Sequence, residues 1–437
     1  MTNSKLKDPN IEWLGKIPSN WNLIKGKYLF TLRTTKGNTK QVELLSPTQE
    51  YGVIPQKLYE KLTGMRPVKL KSNTDLNQMK SIYKGDFCIS LRSFQGGFEY
   101  SNYDGIVSPA YQVFYPSKQV NRNYFKYLFK DKSFIQKLNS YTMSLRDGKN
   151  IAFSDFGNTY LPFPALDEQN KIADFLDKKV SQIDDISKKI QQEITDLEAY
   201  RKSVITKTIT KGLNPNVPMK DSGIEWIGKI PTDWSVIRLK YLGSAGNGLT
   251  YSPQNMTDES GTLILRSSNI QHGEIVNADN VYVNSSVSKS LILKKDDLLI
   301  CSRNGSKDLI GKNALINKEF IGSSFGAFMC VFRSKYNQYI YYVLNSNIFK
   351  FYVGSFLTST INQLTKHNLY NLAFPFPQKE NERKQIIAFL KEKCENINHL
   401  ITHKKDQLKL LNQYKQSIIY EYVTGKKQVP TEEGAKE

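Results

Sequence analysis

The sequence predicts a mixed α/β (α+β) chain: two pseudo-repeated globular domains plus two long helices that form an antiparallel coiled coil. Three observations carry this expectation. A 22-residue phrase recurs far along the chain, each copy of the repeat closes on a proline-rich stop, and each stop leads into a long stretch without Pro or Gly. In those stretches apolar residues return in alternating steps of four and three.

The first element is the repeated phrase. Residues 8–29 read DPNIEWLGKIPSNWNLIKGKYL and residues 221–242 read DSGIEWIGKIPTDWSVIRLKYL, an offset of 213. Ile11, Glu12, Trp13, Gly15, Lys16, Ile17, Pro18, Trp21, Lys27, Tyr28 and Leu29 all recur. A period this long is a duplicated domain and not a solenoid. Next come two turns that feed apolar runs: Lys84-Gly-Asp-Phe-Cys-Ile-Ser-Leu-Arg92 and Lys295-Asp-Asp-Leu-Leu-Ile-Cys-Ser-Arg303. Each reads as a buried strand. Later, Phe153 to Pro164 corresponds to Leu364 to Pro375, each running into an aromatic and proline-rich stop, LPFP at 161–164 and AFPFP at 373–377. Between these landmarks the halves diverge. Such a pattern suits one scaffold carrying two different readers.

The helical stretches follow. In the first, Leu176, Val180, Ile183, Ser187, Ile190, Ile194, Leu197, Arg201 and Val204 form the seam. In the second, Leu390, Cys394, Ile397, Ile401, Lys404, Leu408, Leu411, Lys415 and Ile418 do so, each 214 residues on. Each helix should run about 44 residues, roughly 65 Å at 1.5 Å per residue. The expected stops are Lys211-Gly212 and Gly425. So narrow a stripe must be buried, and the two helices covering each other is the economical solution. A parallel pair would set Arg201 beside Lys415, so the antiparallel arrangement is expected. The alternative is that each helix packs on its own domain.

Composition narrows the partner. Sixty-one Lys and Arg against 41 Asp and Glu give a formal charge of +20, which suits double-stranded DNA. The competing reading is a basic surface with no special partner. Residues 1–10 are polar and lack a signal-peptide core, and no apolar run approaches a membrane span. Cys88, Cys301, Cys330 and Cys394 stand alone without a C-x-x-C pair, so a reduced, cytoplasmic setting with no metal is expected.

Signatures of bond chemistry fail in turn. Gly305-Ser-Lys-Asp-Leu-Ile-Gly-Lys-Asn313 has the wrong glycine spacing for a phosphate loop and ends in Asn where Ser or Thr is needed. Gly243-Ser-Ala-Gly-Asn-Gly248 reads as a turn. His399 and His403, four apart with Cys394 a turn earlier, lack a third convergent ligand and read as a solvated face. No catalytic residue is expected. A nuclease or methyltransferase with a cryptic site and a protein-binding coiled-coil scaffold are the competing classes.

DNA readers need cations for phosphate and planar donors for base edges. Candidates lie in four loops: Arg92, Ser93 and Gln95; Arg146 and Lys149; Arg303, Asn304 and Lys307; Asn362 and Lys366. For each, ordinary loop surface is the alternative. Trp13, Trp21, Trp226 and Trp234 recur in both copies, so they are expected to be scaffold, with partner docking as the other reading.

Glu12-Trp-Leu-Gly-Lys-Ile-Pro-Ser-Asn-Trp21, Glu225-Trp-Ile-Gly-Lys-Ile-Pro-Thr-Asp-Trp234 and Pro162-Phe-Pro-Ala-Leu-Asp-Glu-Gln169 resemble motifs of the DNA-specificity subunit of type I restriction-modification systems. The second junction departs, with Glu382-Arg383 in place of Glu-Gln. The resemblance implies target-recognition domains at 1–165 and 213–377, helical spacers at 166–212 and 378–426, and a polar tail at 427–437. It further implies a split, asymmetric DNA site, and the length of the paired helices would fix the separation of the two readers. Two methyltransferase (modification) and two restriction (motor and nuclease) subunits would be partners. S-adenosylmethionine, ATP and Mg would be used by those subunits, with no cofactor bound by this chain.

Overall fold

The computed structural model describes residues 5–36, 43–65, 76–142, 151–284, 286–357 and 362–430. The chain divides into two compact units: Met1–Ile190 with Asp406–Glu437, and Gln191–Lys405. Each long helix therefore contributes residues to both units.

The first unit is built on an antiparallel sheet in the order Phe30–Leu32, Gln112–Pro116, Phe87–Ile89, Glu99–Tyr100. Phe30, Phe87 and Phe114 join Phe98, Phe125, Phe129, Phe134 and Phe156 in one buried aromatic core. The second unit repeats the frame in the order Ser244–Asn247, Met329–Arg333, Leu298–Cys301, Asn313–Leu315, again antiparallel. Both expected buried strands are present, and Phe87–Ile89 and Leu298–Cys301 are buried throughout. Alongside this frame the fillings differ. The first unit adds the hairpin Leu45–Thr48 with Gly52–Pro55. The second adds a four-stranded sheet that includes a parallel pairing of Thr262–Leu265 with Ser324–Phe325.

The turn that feeds each buried strand is pinned by a carboxylate. Asp86 accepts from the Tyr83 backbone N–H at 3.0 Å, and Asp297 accepts from that of Lys294 at 3.0 Å. Each is also paired with an arginine: Arg33 Nε lies 2.6 Å from Asp86, and Arg333 Nε lies 3.0 Å from Asp297. Arg33 stands just after the edge strand Phe30–Leu32, whereas Arg333 ends the inner strand Met329–Arg333, so the repeats have met one buried charge by separate routes. Arg33 is further sandwiched between the Tyr83 and Tyr115 rings at 4.6 and 4.3 Å.

Gly243–Gly248 is not a turn, because Ser244–Asn247 is an edge strand paired with Met329–Arg333. Its glycines serve close approach: a Cβ at Gly243 would meet the Arg333 carbonyl, and one at Gly248 the carbonyls of Phe325 and Gly326.

The repeated phrase and the proline stop come together as a strand pair. Asn22–Lys25 pairs with Tyr160–Phe163, and Ser235–Arg238 with Ala373–Phe376. Each pair seats the C-terminus of a long helix. In the first unit Tyr124, fully buried, donates to the Val423 carbonyl at 2.8 Å, and Lys426 donates to that of Leu14 at 2.7 Å. In the second, Tyr339 donates to the Pro375 carbonyl at 3.1 Å and lies 3.5 Å from that of Ile209. Trp13, Trp21 and Trp234 are accordingly buried in these seats. Trp226 departs from the scaffold reading, since it is 48% exposed.

The long helices span Leu166–Lys211 and Glu380–Val423. Gly212 and Gly425 follow them at φ +71° and +72°, the left-handed stop that glycine adopts without a Cβ penalty. Segments of the two run antiparallel within each unit. In the first unit, Lys415 Nζ lies 2.6 Å from Asp184 Oδ1, and Phe175 packs on Tyr422 with centroids 4.5 Å apart. In the second, Lys404 Nζ lies 2.6 Å from Glu193, and Arg201 donates to Asn398 at 2.5 Å. All eighteen seam positions are buried or half-buried, with exposed residues between them. Arg201, Lys404 and Lys415 are not left to solvent, because each finds an oppositely charged or amide partner on the facing helix. Among the described residues no helix is long and apolar enough to cross a membrane.

Candidate nucleic-acid interface

In the second unit the loop after the buried strand meets the segment before the proline stop. Arg303 forms a β-bridge with Gln363, and the Leu364 N–H donates to Ser302 at 2.7 Å. Asn362 Nδ2 reaches the Gly305 carbonyl at 3.1 Å, and Lys307 Nζ that of Leu357 at 3.2 Å. Thr365 caps the short helix Lys366–Asn371 by accepting from the Asn368 N–H, which fixes Lys366 at the rim. Arg303, Asn304, Lys307, Asn362 and Lys366 are thus brought to one loop cluster. Arg303, Lys307 and Lys366 are exposed, and none pairs with a described carboxylate. Asn304 is half-buried, and its Nδ2 lies 3.3 Å from Ser267 Oγ.

Residues from elsewhere complete this surface. Phe328, 60% exposed, lies under the Arg303 guanidinium at 5.4 Å. Its signal in the sequence was faint: it stands between buried Phe325 and Met329 in an apolar run where outward and inward positions look alike. Lys312 Nζ reaches the Ser267 carbonyl at 3.3 Å. Together these residues offer exposed cations and a planar guanidinium on an aromatic face, the donor types that suit phosphate oxygens and the edge of guanine.

In the first unit, Arg92 and Gln95 are exposed, and Gln49 Nε2 lies 3.5 Å from Gln95 Oε1. Ser93 must be withdrawn as a DNA-facing residue. It begins the short helix Ser93–Gly96, is 1% exposed, and its Oγ accepts from the Ser90 N–H at 2.8 Å. Its hydroxyl therefore closes a turn. Arg146 and Lys149 lie outside the described residues. Beneath the loop, Lys130 pairs with Glu99 at 2.7 Å, and burial nevertheless pushes that carboxyl up to about 7.

None of the described cysteines is prepared as a nucleophile. Burial raises the thiols of Cys88 and Cys301, and pushes Cys330 up to about 11, the wrong direction for a thiolate. His399 and His403 are exposed, and among the described residues no three metal-binding side chains converge.

Comparison with known proteins agrees with the duplicated frame. The family model described as the type I restriction modification DNA specificity domain matches twice, at residues 18–196 and 231–410. The MjaVIII specificity subunit of Methanocaldococcus jannaschii is 27% identical over 300 residues, which cover 66% of this chain and 67% of that protein. The StySPI specificity subunit of Salmonella potsdam is 24% identical over 305 residues, covering 66% and 63%. Among solved structures, a chain from a study of complex assembly and conformational transition of the type I R-M system superposes with a TM-score of 0.66. It is 14% identical and covers 93% of this chain and 98% of its own, so it supports the fold. With two matched copies spanning most of its length, the chain belongs to the type I restriction-modification DNA specificity family.

Proposed function

We propose that this protein is the sequence-specific DNA-binding subunit of a type I restriction-modification complex and reads a bipartite, asymmetric site. The observation that carries the reading is the contrast within the repeat. The frame, its pinned turn and its helix seat recur, whereas the loop clusters that hold Arg92 and Gln95 in one unit and Arg303, Asn304 and Lys307 in the other do not. Two different half-sites call for that division, because base-reading residues must differ where the bases differ.

On this proposal the chain is not itself an enzyme. It recruits two modification subunits that methylate adenine N6 with S-adenosylmethionine, and two restriction subunits that use ATP and Mg, all in the cytoplasm. Mapping methylated adenines in the host genome with and without this gene tests the reading. A split motif that disappears with the gene is expected, and an unchanged methylation pattern would refute it. Replacing residues 20–160 by another recognition domain should then change one half of the motif only.

A further inference from the structure

The repeated phrase holds more than the helix seat requires. Its last residues, Lys25-Gly-Lys-Tyr28 and Arg238-Leu-Lys-Tyr241, form the end of a strand and a 3-10 turn in each unit. Gly26, Leu29 and Leu239 face inward and are buried. Lys27, Tyr28, Arg238, Lys240 and Tyr241 are exposed, with Tyr28 at 58% and Tyr241 at 68%. In both units the lysine ammonium rests over its neighbouring tyrosine, at 5.5 Å for Lys27 and 4.9 Å for Lys240. None of the four cations pairs with a described carboxylate. Lys25 is half-buried with its Nζ 5.2 Å from the Tyr160 ring, and packing does not account for a cation followed by a tyrosine recurring outward at Lys27-Tyr28 and Lys240-Tyr241.

The short helix that packs against each turn links it to the candidate interface. In the second unit this is Lys366–Asn371, whose first residue belongs to the loop cluster and whose Tyr370 hydroxyl accepts from the Ala245 N–H at 2.9 Å. In the first unit it is Phe153–Asn158, where Asn158 Oδ1 accepts from Lys27 Nζ at 3.3 Å.

We infer that Lys25, Lys27 and Tyr28 in one unit, and Arg238, Lys240 and Tyr241 in the other, are matched clamps for the DNA phosphate backbone. The inference rests on the DNA-binding reading above. Bases differ between two half-sites and phosphates do not. Residues that hold phosphate can therefore stay the same in both copies while base readers diverge, and phosphate contacts position a reader without carrying sequence. Cations that no described carboxylate neutralises, beside an exposed phenol, offer the charge and donors that a phosphodiester accepts. A protein partner bound twice would also retain a repeated surface, and that is an outcome of the test.

The experiment uses the full chain assembled with its modification subunits and compares the wild type with Lys25→Gln/Lys27→Gln, Arg238→Gln/Lys240→Gln and the fourfold variant. Fluorescence anisotropy is read on a duplex carrying the mapped site and on a scrambled duplex, across a salt series. Each double variant should lower the slope of log K against log salt by about 2, since every phosphate that a cation neutralises contributes roughly 0.9. Affinity should fall by the same factor on both duplexes, leaving their ratio unchanged. A wild-type salt slope in the fourfold variant overturns the clamps and leaves the DNA-binding function standing. Absence of salt-dependent duplex binding by the wild type overturns both. Loss of the modification subunits from the purified fourfold variant, with DNA affinity otherwise intact, assigns the surface to a protein partner and refutes the phosphate assignment.

Discussion

Replacing Gly425 by Ala tests whether the second long helix is seated in the first unit as described. Gly425 has φ +72°, and a Cβ there would collide with Pro18 and stand 3.0 Å from the Trp21 ring. Gly64 ends a helix of the same unit at φ +68° with nothing within 4 Å of its would-be Cβ, so it is a matched control. In both, the left-handed conformation costs a residue with a Cβ about 1–2 kcal/mol. Only at Gly425 does crowding against a packed proline and indole add a further ~1–3 kcal/mol. The excess for Gly425→Ala over Gly64→Ala should then lower Tm by roughly 2–12 °C, at about 2–4 °C per kcal/mol for a domain of this size. Calorimetry of the full chain measures the shift, and hydrogen exchange of the amides of residues 418–426 locates it. Equal shifts for the two variants, or unchanged protection over those residues, would refute the seat.

Further outcomes follow from the same contacts. Ile194, 3% exposed, should tolerate Val at about 0.5–1.5 kcal/mol and lose several kcal/mol as Asp, because an unpaired carboxylate would be buried; wild-type melting of Ile194→Asp would mean the stripe is open. Lys415→Glu should destabilise by only ~0.2–1 kcal/mol, since the pair is half-exposed, and Asp184→Lys in the same chain should restore it. A double-mutant cycle with no coupling at low salt would contradict that pairing. The Glu99 carboxyl is raised from 4.5 to about 7, so the folded state holds its proton longer than the unfolded one. Its contribution is full below pH ~4.5 and is lost as pH rises through 7, by at most ~3 kcal/mol. Glu99→Gln should flatten stability over that window, and an identical pH profile would refute the assignment. Finally, Arg303→Ala should relax discrimination at one base pair of one half-site by ~1–3 kcal/mol, read by competition among single-substituted duplexes.

Much of the architecture was legible because it is written in patterns local to the chain or repeated along it. Helix period, glycine stops and the recurring phrase depend on residue spacing, so two long helices and two similar domains could be read from the sequence. The antiparallel direction also followed from charge, as Arg201 and Lys415 would repel in the parallel alternative. The strand Ser244–Asn247 was missed, since its glycines resemble a turn until the neighbouring strand that excludes a Cβ is in place.

Residue identity and order along the chain determined the duplication, the seam and the two unlike sets of loops. Tertiary structure alone decided which loop residues gather and which are consumed by the scaffold. Ser93 and Asn304 are both small polar residues beside an arginine, yet one is sealed inside a turn and the other lies half-open beside Ser267. It also decided that Phe328 stands under Arg303 and that the first opening phrase receives a helix end from far along the chain. Burial and long-range proximity are set by how all the elements pack at once, and no local spacing encodes them.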